Sequence, residues 1–140
     1  MFECNVPGTP TPQGSKRAFV VGGRAVVAES AGEKLKIWRA AVAAEVQATV
    51  NELGWELLEK DPCYVTLTFT LKPAKADPKW WVFHRKRPDL DKLIRAVLDE
   101  LSGRVFTDDS QVAGVTATKT IAWDGATGVH VHVAPLVEEP

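Results

Sequence analysis

Two aspartates one residue apart, Asp89 and Asp91, follow three basic residues and a proline in "HRKRPDLDKL" (84–93). Carboxylates are hard oxygen donors, suited to Mg²⁺, an ion that keeps several waters and takes few protein ligands. An ion so held can activate water beside a phosphodiester and offset its charge. The competing account is structural. Asp89 then caps a helix, Asp91 complements its dipole, and Asp91 pairs with Arg95 four residues on. A second acidic point, Asp108–Asp109 in "TDDSQ", is an Asx-type turn if it stands alone. One helix and one turn separate the two points. A short return strand is expected to bring them together, so that three carboxylates converge. Lys92 and Arg95 place positive charge beside them, as a phosphate gaining charge in a transition state requires.

The net charge of −1 and the pI near 6.3 argue against nonspecific nucleic-acid binding by the whole surface. The distribution says more. From residue 72 to residue 88 the chain carries Lys72, Lys75, Lys79, Arg85, Lys86 and Arg87 against one acid, Asp77. Such a cluster steers polyanions. Lys16 and Arg17, after a Pro/Gly loop, are further candidate phosphate contacts or plain surface charge. Trp80, Trp81 and His84 lie among the cations and offer stacking surfaces for bases or sugars. At least one of the tryptophans is expected to anchor the loop by burial instead. The stretch is punctuated by prolines and strongly charged, so it is expected to be mobile without a ligand.

The elements that must position these residues follow from periodicity. Residues 2–6 read as a short strand and 7–16 as a loop. Two short strands flank Gly22-Gly23, a hairpin signal. Ser30 with Glu33 matches a capping box, and Leu35, Trp38, Val42, Val46 and Val50 give helical spacing up to Gly54. Val65, Leu67, Phe69 and Leu71 alternate with threonines in a half-buried strand. Leu90, Leu93, Ile94, Val97, Leu98 and Leu101 form the apolar stripe of a second helix, from about Asp89 to Leu101. Residues 111–123 and "GVHVHVAP" read as extended. The order predicts an α+β domain covering 1–140: a mixed β-sheet with two main helices packed on one face, a two-layer sandwich.

Several classes are excluded or disfavoured. No apolar run is long enough to span a membrane. The opening "MFECNVPGTP" lacks the basic start and apolar core of a secretion signal. Cys4 and Cys63 are isolated and read as free thiols, so a cytoplasmic protein is expected. His130 and His132 share a strand face, but no neighbouring ligand completes a zinc set. No GxxxxGK[ST], GxSxG or HExxH motif occurs. A DxD transferase using a nucleotide is a poorer reading, since the chain has no nucleotide-binding glycine loop.

Taken together, "RPDLDKLIRAVLDELSGRVFTDDSQV" (87–112) resembles the RusA family of Holliday-junction resolvases. Arg87, Pro88, Asp89, Asp91, Leu98, Leu101, Gly103, Asp108, Asp109 and Gln111 match its pattern in order. "PGTPTPQGSKRA" is similar to the family's opening loop, with less specificity. The resemblance implies a homodimeric, Mg²⁺-dependent endonuclease, with Mn²⁺ a possible substitute. Its implied action is to cut four-way DNA junctions by paired symmetric nicks in recombination and repair, in a bacterial or phage-infected cell. It places the metal site at Asp89, Asp91 and the Asp108–Asp109 pair, with Asp109 favoured as third ligand. Two positions depart from the pattern. Lys92 stands where the family usually has Asn, and Arg95 stands at its catalytic lysine, keeping the charge but not the compact ammonium. A binding module for DNA junctions, weak or inactive in catalysis, is the alternative.

Overall fold

The computed structural model describes residues 1–14, 16–29 and 32–140, with backbone alone for 16–19, 21 and 25–29. In chain order the elements are β1 (Phe2–Pro7), β2 (Lys16–Val21), β3 (Arg24–Glu29), α1 (Gly32–Leu53), β4 (Cys63–Leu71), α2 (Leu90–Leu101), β5 (Val112–Ile121) and β6 (Gly128–Pro135). The main sheet has the order β1-β6-β4-β5. β4 and β5 are parallel, whereas β6 is antiparallel to both β1 and β4. A parallel pair needs a long crossover; here residues 72–111, including α2, provide it.

The expected alternation holds. Phe2, Cys4 and Val6 of β1, Cys63 to Leu71 at every second residue of β4, and Val129, Val131 and Val133 of β6 are buried on one face. Both helices cover that face. Leu35, Trp38, Val42 and Val46 of α1 and Leu93, Ala96, Val97 and Leu101 of α2 join the sheet in one core. The fold is therefore the expected α+β arrangement, with two helices on a mixed sheet. Glu100 ties the helices together, accepting from Arg39 Nε at 2.7 Å and from Arg104 at 3.0 Å.

β2 and β3 form the expected hairpin as a separate two-stranded sheet. Gly22 and Gly23 both have positive φ, 57° and 82°, as a type I′ turn demands. The Ser30 capping box lies outside the described residues. No helix among them is long and apolar enough to cross a membrane. Cys4 and Cys63 are free and buried, and burial pushes the Cys4 thiol up to about 11.

Candidate nuclease site at the N-terminus of the second helix

α2 begins where its apolar stripe begins, and this fixes the aspartates. Leu93, Ala96 and Val97 face the core, which leaves Asp89 and Asp91 exposed at the helix entrance. Asp89 occupies the N-cap position, yet its carboxylate accepts no capping hydrogen bond. No ion pair joins Asp91 to Arg95 among the described residues. Of the structural account, the N-cap position of Asp89 and the placement of Asp91 in the first turn hold, whereas the side-chain cap bond and the Asp91–Arg95 pair are not found among the described residues. Among the described residues neither carboxylate is taken up by a cap bond or an ion pair, and both stand at the positive end of a helix, where negative charge is stabilised. Asp89 lines a cleft of about 410 Å³ with Pro12, Arg87, Pro88 and Lys92. The opening loop reaches the same place, because Gln13 N–H donates to the Lys92 carbonyl at 3.0 Å.

The second acidic point lies elsewhere. Asp108 caps a short 3-10 turn (Asp109–Gln111), accepting the Ser110 N–H at 3.0 Å, while the Gln111 side chain accepts the Asp108 N–H. Hydrogen bonding from the Ser110 side chain, and then from its backbone, holds the Asp108 carboxyl below its usual value. Asp109 is exposed. Gln111 Nε2 fastens the turn to the carbonyls of Leu58 and Asp61, beyond the C-terminal end of α2. β5 then returns alongside α2, and only Lys119, far along it, reaches Pro88. Val112 and Lys119 are seven residues apart, or roughly 23 Å of extended strand at about 3.3 Å per residue. α2 itself rises roughly 18 Å at about 1.5 Å per residue. The expected convergence of Asp89, Asp91 and the Asp108–Asp109 pair thus does not occur within one chain. No group of three or more His, Cys, Asp or Glu disposed to hold a metal is present among the described residues. The return strand runs antiparallel to the helix, so the two acidic points stand at its opposite ends.

The basic stretch is braced by contacts of its own. Its one acid closes it: Lys86 Nζ lies 2.6 Å from Asp77 Oδ1, and the Asp77 side chain is only 2% exposed. The Lys86 hydrogen bond is the main cause holding the Asp77 carboxyl below its usual value. Lys86 is thus committed to Asp77, whereas Lys72, Lys75, Lys79, Arg85 and Arg87 are exposed. Arg85 stacks over Trp81 at 3.7 Å from the ring centroid. Trp81 is half-buried and Trp80 exposed, matching the expectation that one tryptophan anchors the loop. His84 is 8% exposed and cannot serve as a stacking surface. Its imidazole is held below 6.5, first by burial and then by the charge of Lys119. The side chains of Lys16 and Arg17 lie outside what is described.

Lys119 is the functional candidate that the sequence reading missed. Register pairs it with Phe69, so it projects from the core face of the sheet. Its ammonium donates to the carbonyls of Lys86 at 2.6 Å and Pro88 at 2.8 Å, directly before Asp89. A signal existed: Val115, Ala117, Lys119 and Ile121 alternate, and one member is charged. Lys119→Met keeps the stem and deletes both donors. We expect it to cost roughly 1.5–3 kcal/mol of stability, the range for hydrogen bonds involving a charged group. Denaturant midpoints measure the loss, and faster amide exchange over 82–89 locates it.

The α+β domain thus displays the Asp89 and Asp91 carboxylates at a helix N-terminus, beside a braced cationic loop. The chain belongs to the RusA family: the family described as "Endodeoxyribonuclease RusA" matches residues 7–134. It is also 35% identical over 66 residues to the "Crossover junction endodeoxyribonuclease rusA" of Lactococcus phage r1t. That match covers 46% of this chain and 50% of the phage protein, so the chain spans about half the length of this curated relative.

Proposed function

We propose that the chain is a divalent-metal-dependent endodeoxyribonuclease that resolves four-way DNA junctions by paired symmetric nicks. It acts as a homodimer, with Mg²⁺ as the working ion and Mn²⁺ able to replace it. The observation that carries this reading is the uncommitted Asp89–Asp91 pair at the start of α2, flanked by Arg87 and Lys92. Membership of the RusA family and the name of the phage relative support it.

The donor set suits a hard cation: exposed carboxylates that no capping bond or ion pair consumes among the described residues. Asp89 and Asp91 would hold it, with Asp109 as third ligand. Asp109 is favoured over Asp108 because the Asp108 carboxylate already serves the turn. Since one chain holds Asp109 at the far end of α2, the third ligand comes from a second copy. Each site of the dimer then takes Asp89 and Asp91 from one chain and Asp109 from the other. A dyad relating two such sites matches a substrate with two symmetry-related strands to cut. When bound, the ion supplies an activated water and neutralises phosphate charge. The chain's own cations do the rest. Arg87 and Lys92 hold the phosphate against the cleft, and Arg95, one turn beyond Asp91, offsets charge that develops on it. Lys72, Lys75, Lys79 and Arg85 fix the flanking backbone, and Lys86 braces their loop.

Scission of a four-way junction against linear duplex tests this reading. Within it, Arg85→Ala and Arg87→Ala are each expected to weaken junction binding and to lower the slope of log K against log salt by about 1. Unchanged affinity and slope in both would remove the loop from the DNA contact. Junction binding without scission in Mg²⁺ would leave the binding module, with Lys92 and Arg95 as its cause.

A further inference from the structure

The basic loop carries more than charge. Trp80, Val82 and Phe83 are 77%, 62% and 59% exposed on a segment whose backbone is hydrogen-bonded to β5. Trp123 Nε1 donates to the Trp81 carbonyl at 2.8 Å. Ile121 N–H donates to the Val82 carbonyl and His84 N–H to the Lys119 carbonyl, both at 2.9 Å. Phe83 bridges Thr120, so residues 82–84 run as an added edge beside β5. The fold thus presents three large apolar side chains to water, where burial would favour their withdrawal.

Their neighbours show what they meet. Arg85 and Arg87 follow within four residues of Phe83, and Lys79 precedes Trp80. A protein–protein interface depletes lysine from its apolar centre. Aromatic faces among cations are instead the composition of a single-stranded nucleic-acid surface. The position is also specific. Lys119 fixes both ends of the segment, taking the His84 N–H on its carbonyl and holding the Pro88 carbonyl with its ammonium. The aromatic edge and Asp89 therefore flank one strand end.

We infer that Trp80 and Phe83, with Val82 beside them, form a stacking edge for unpaired bases at the branch point of the junction. This rests on the nuclease reading above. Duplex arms have no exposed base faces, whereas the crossover does once it is opened. The edge therefore selects branched over linear DNA next to the carboxylates that cut it. Each base stacked in this way adds about tenfold or more in affinity.

The test uses the full chain and a four-way junction with 2-aminopurine at the branch point, with Ca²⁺ replacing Mg²⁺ so that strands stay intact. Wild type is expected to change the 2-aminopurine emission several-fold on saturation. The Trp80→Ala/Phe83→Ala protein is expected to bind with the same salt slope. It should lose the emission change and about tenfold or more of its preference for junction over duplex. Trp80→Phe is expected to restore most of both. The mutated side chains are exposed, and an unchanged melting temperature would confirm the fold. A double variant indistinguishable from wild type overturns the inference. So does one that has become monomeric by sedimentation, since the edge then belongs to a second copy. If wild type binds no junction, the nuclease reading falls and the edge loses its ligand with it.

Discussion

Asp91→Asn is expected to abolish junction cleavage while leaving junction binding intact or tighter. The substitution is nearly isosteric. Asp91 is exposed in the first turn of α2 and makes no ion pair with Arg95 among the described residues, so the fold should be almost unaffected. What disappears is one formal negative charge from the proposed metal site. Several kcal/mol of metal-derived stabilisation is at stake, so cleavage should fall by roughly a thousandfold or more at 1.36 kcal/mol per decade. Binding moves the other way, because the lost charge also repelled phosphates. Single-turnover cleavage with Mg²⁺, beside gel-shift affinity without it, separates the two effects. A variant that cuts as fast as wild type would remove Asp91 from the site.

The second large effect is a rescue. In the proposed dimer each site draws on two chains. Asp89→Asn/Asp91→Asn protein and Asp109→Asn protein are each expected to be inactive alone. Mixed and allowed to exchange subunits, they should nick the junction. A mixed dimer holds one complete site, with Asp89 and Asp91 from one chain and Asp109 from the other, and one site lacking all three. Its product is a single nick in place of a paired cut. Mixed dimers make up about half of a random population, so the recovered rate should be of the same order as wild type for one strand. Asp108→Asn should cut nearly normally alone, because an asparagine oxygen can still accept the Ser110 N–H. If the mixture stays inactive although subunit exchange is demonstrated, the shared site is wrong.

Much of this was legible in the residues. The stripe from Leu90 to Leu101 gave α2 and its buried face, and so placed Asp89 and Asp91 outward. The threonine-spaced run from Val65 to Leu71 gave β4 and its core side. The strand order was not legible, since the parallel β4–β5 pair joins residues about fifty positions apart and periodicity says nothing of partners. The expected meeting of the acidic points failed on direction. A twelve-residue helix carries the chain away from Asp89, and the turn at Asp108 comes before the return strand rather than after it. The braced loop was missed because Asp77 was counted only as a charge, whereas it is the clasp for Lys86. Lys119 was missed because its meaning depends on which face of β5 meets the core.

In the proposed reaction these carboxylates hold the ion with which the chain cuts a branched phosphodiester backbone. The most direct test is a nicking assay on a synthetic four-way junction with each strand end-labelled in turn, with and without Mg²⁺, and with linear duplex as control. Mg²⁺-dependent nicks are expected in two symmetry-related strands near the crossover, with the duplex left intact. Tight binding with every strand whole at all Mg²⁺ concentrations would contradict the proposed reaction.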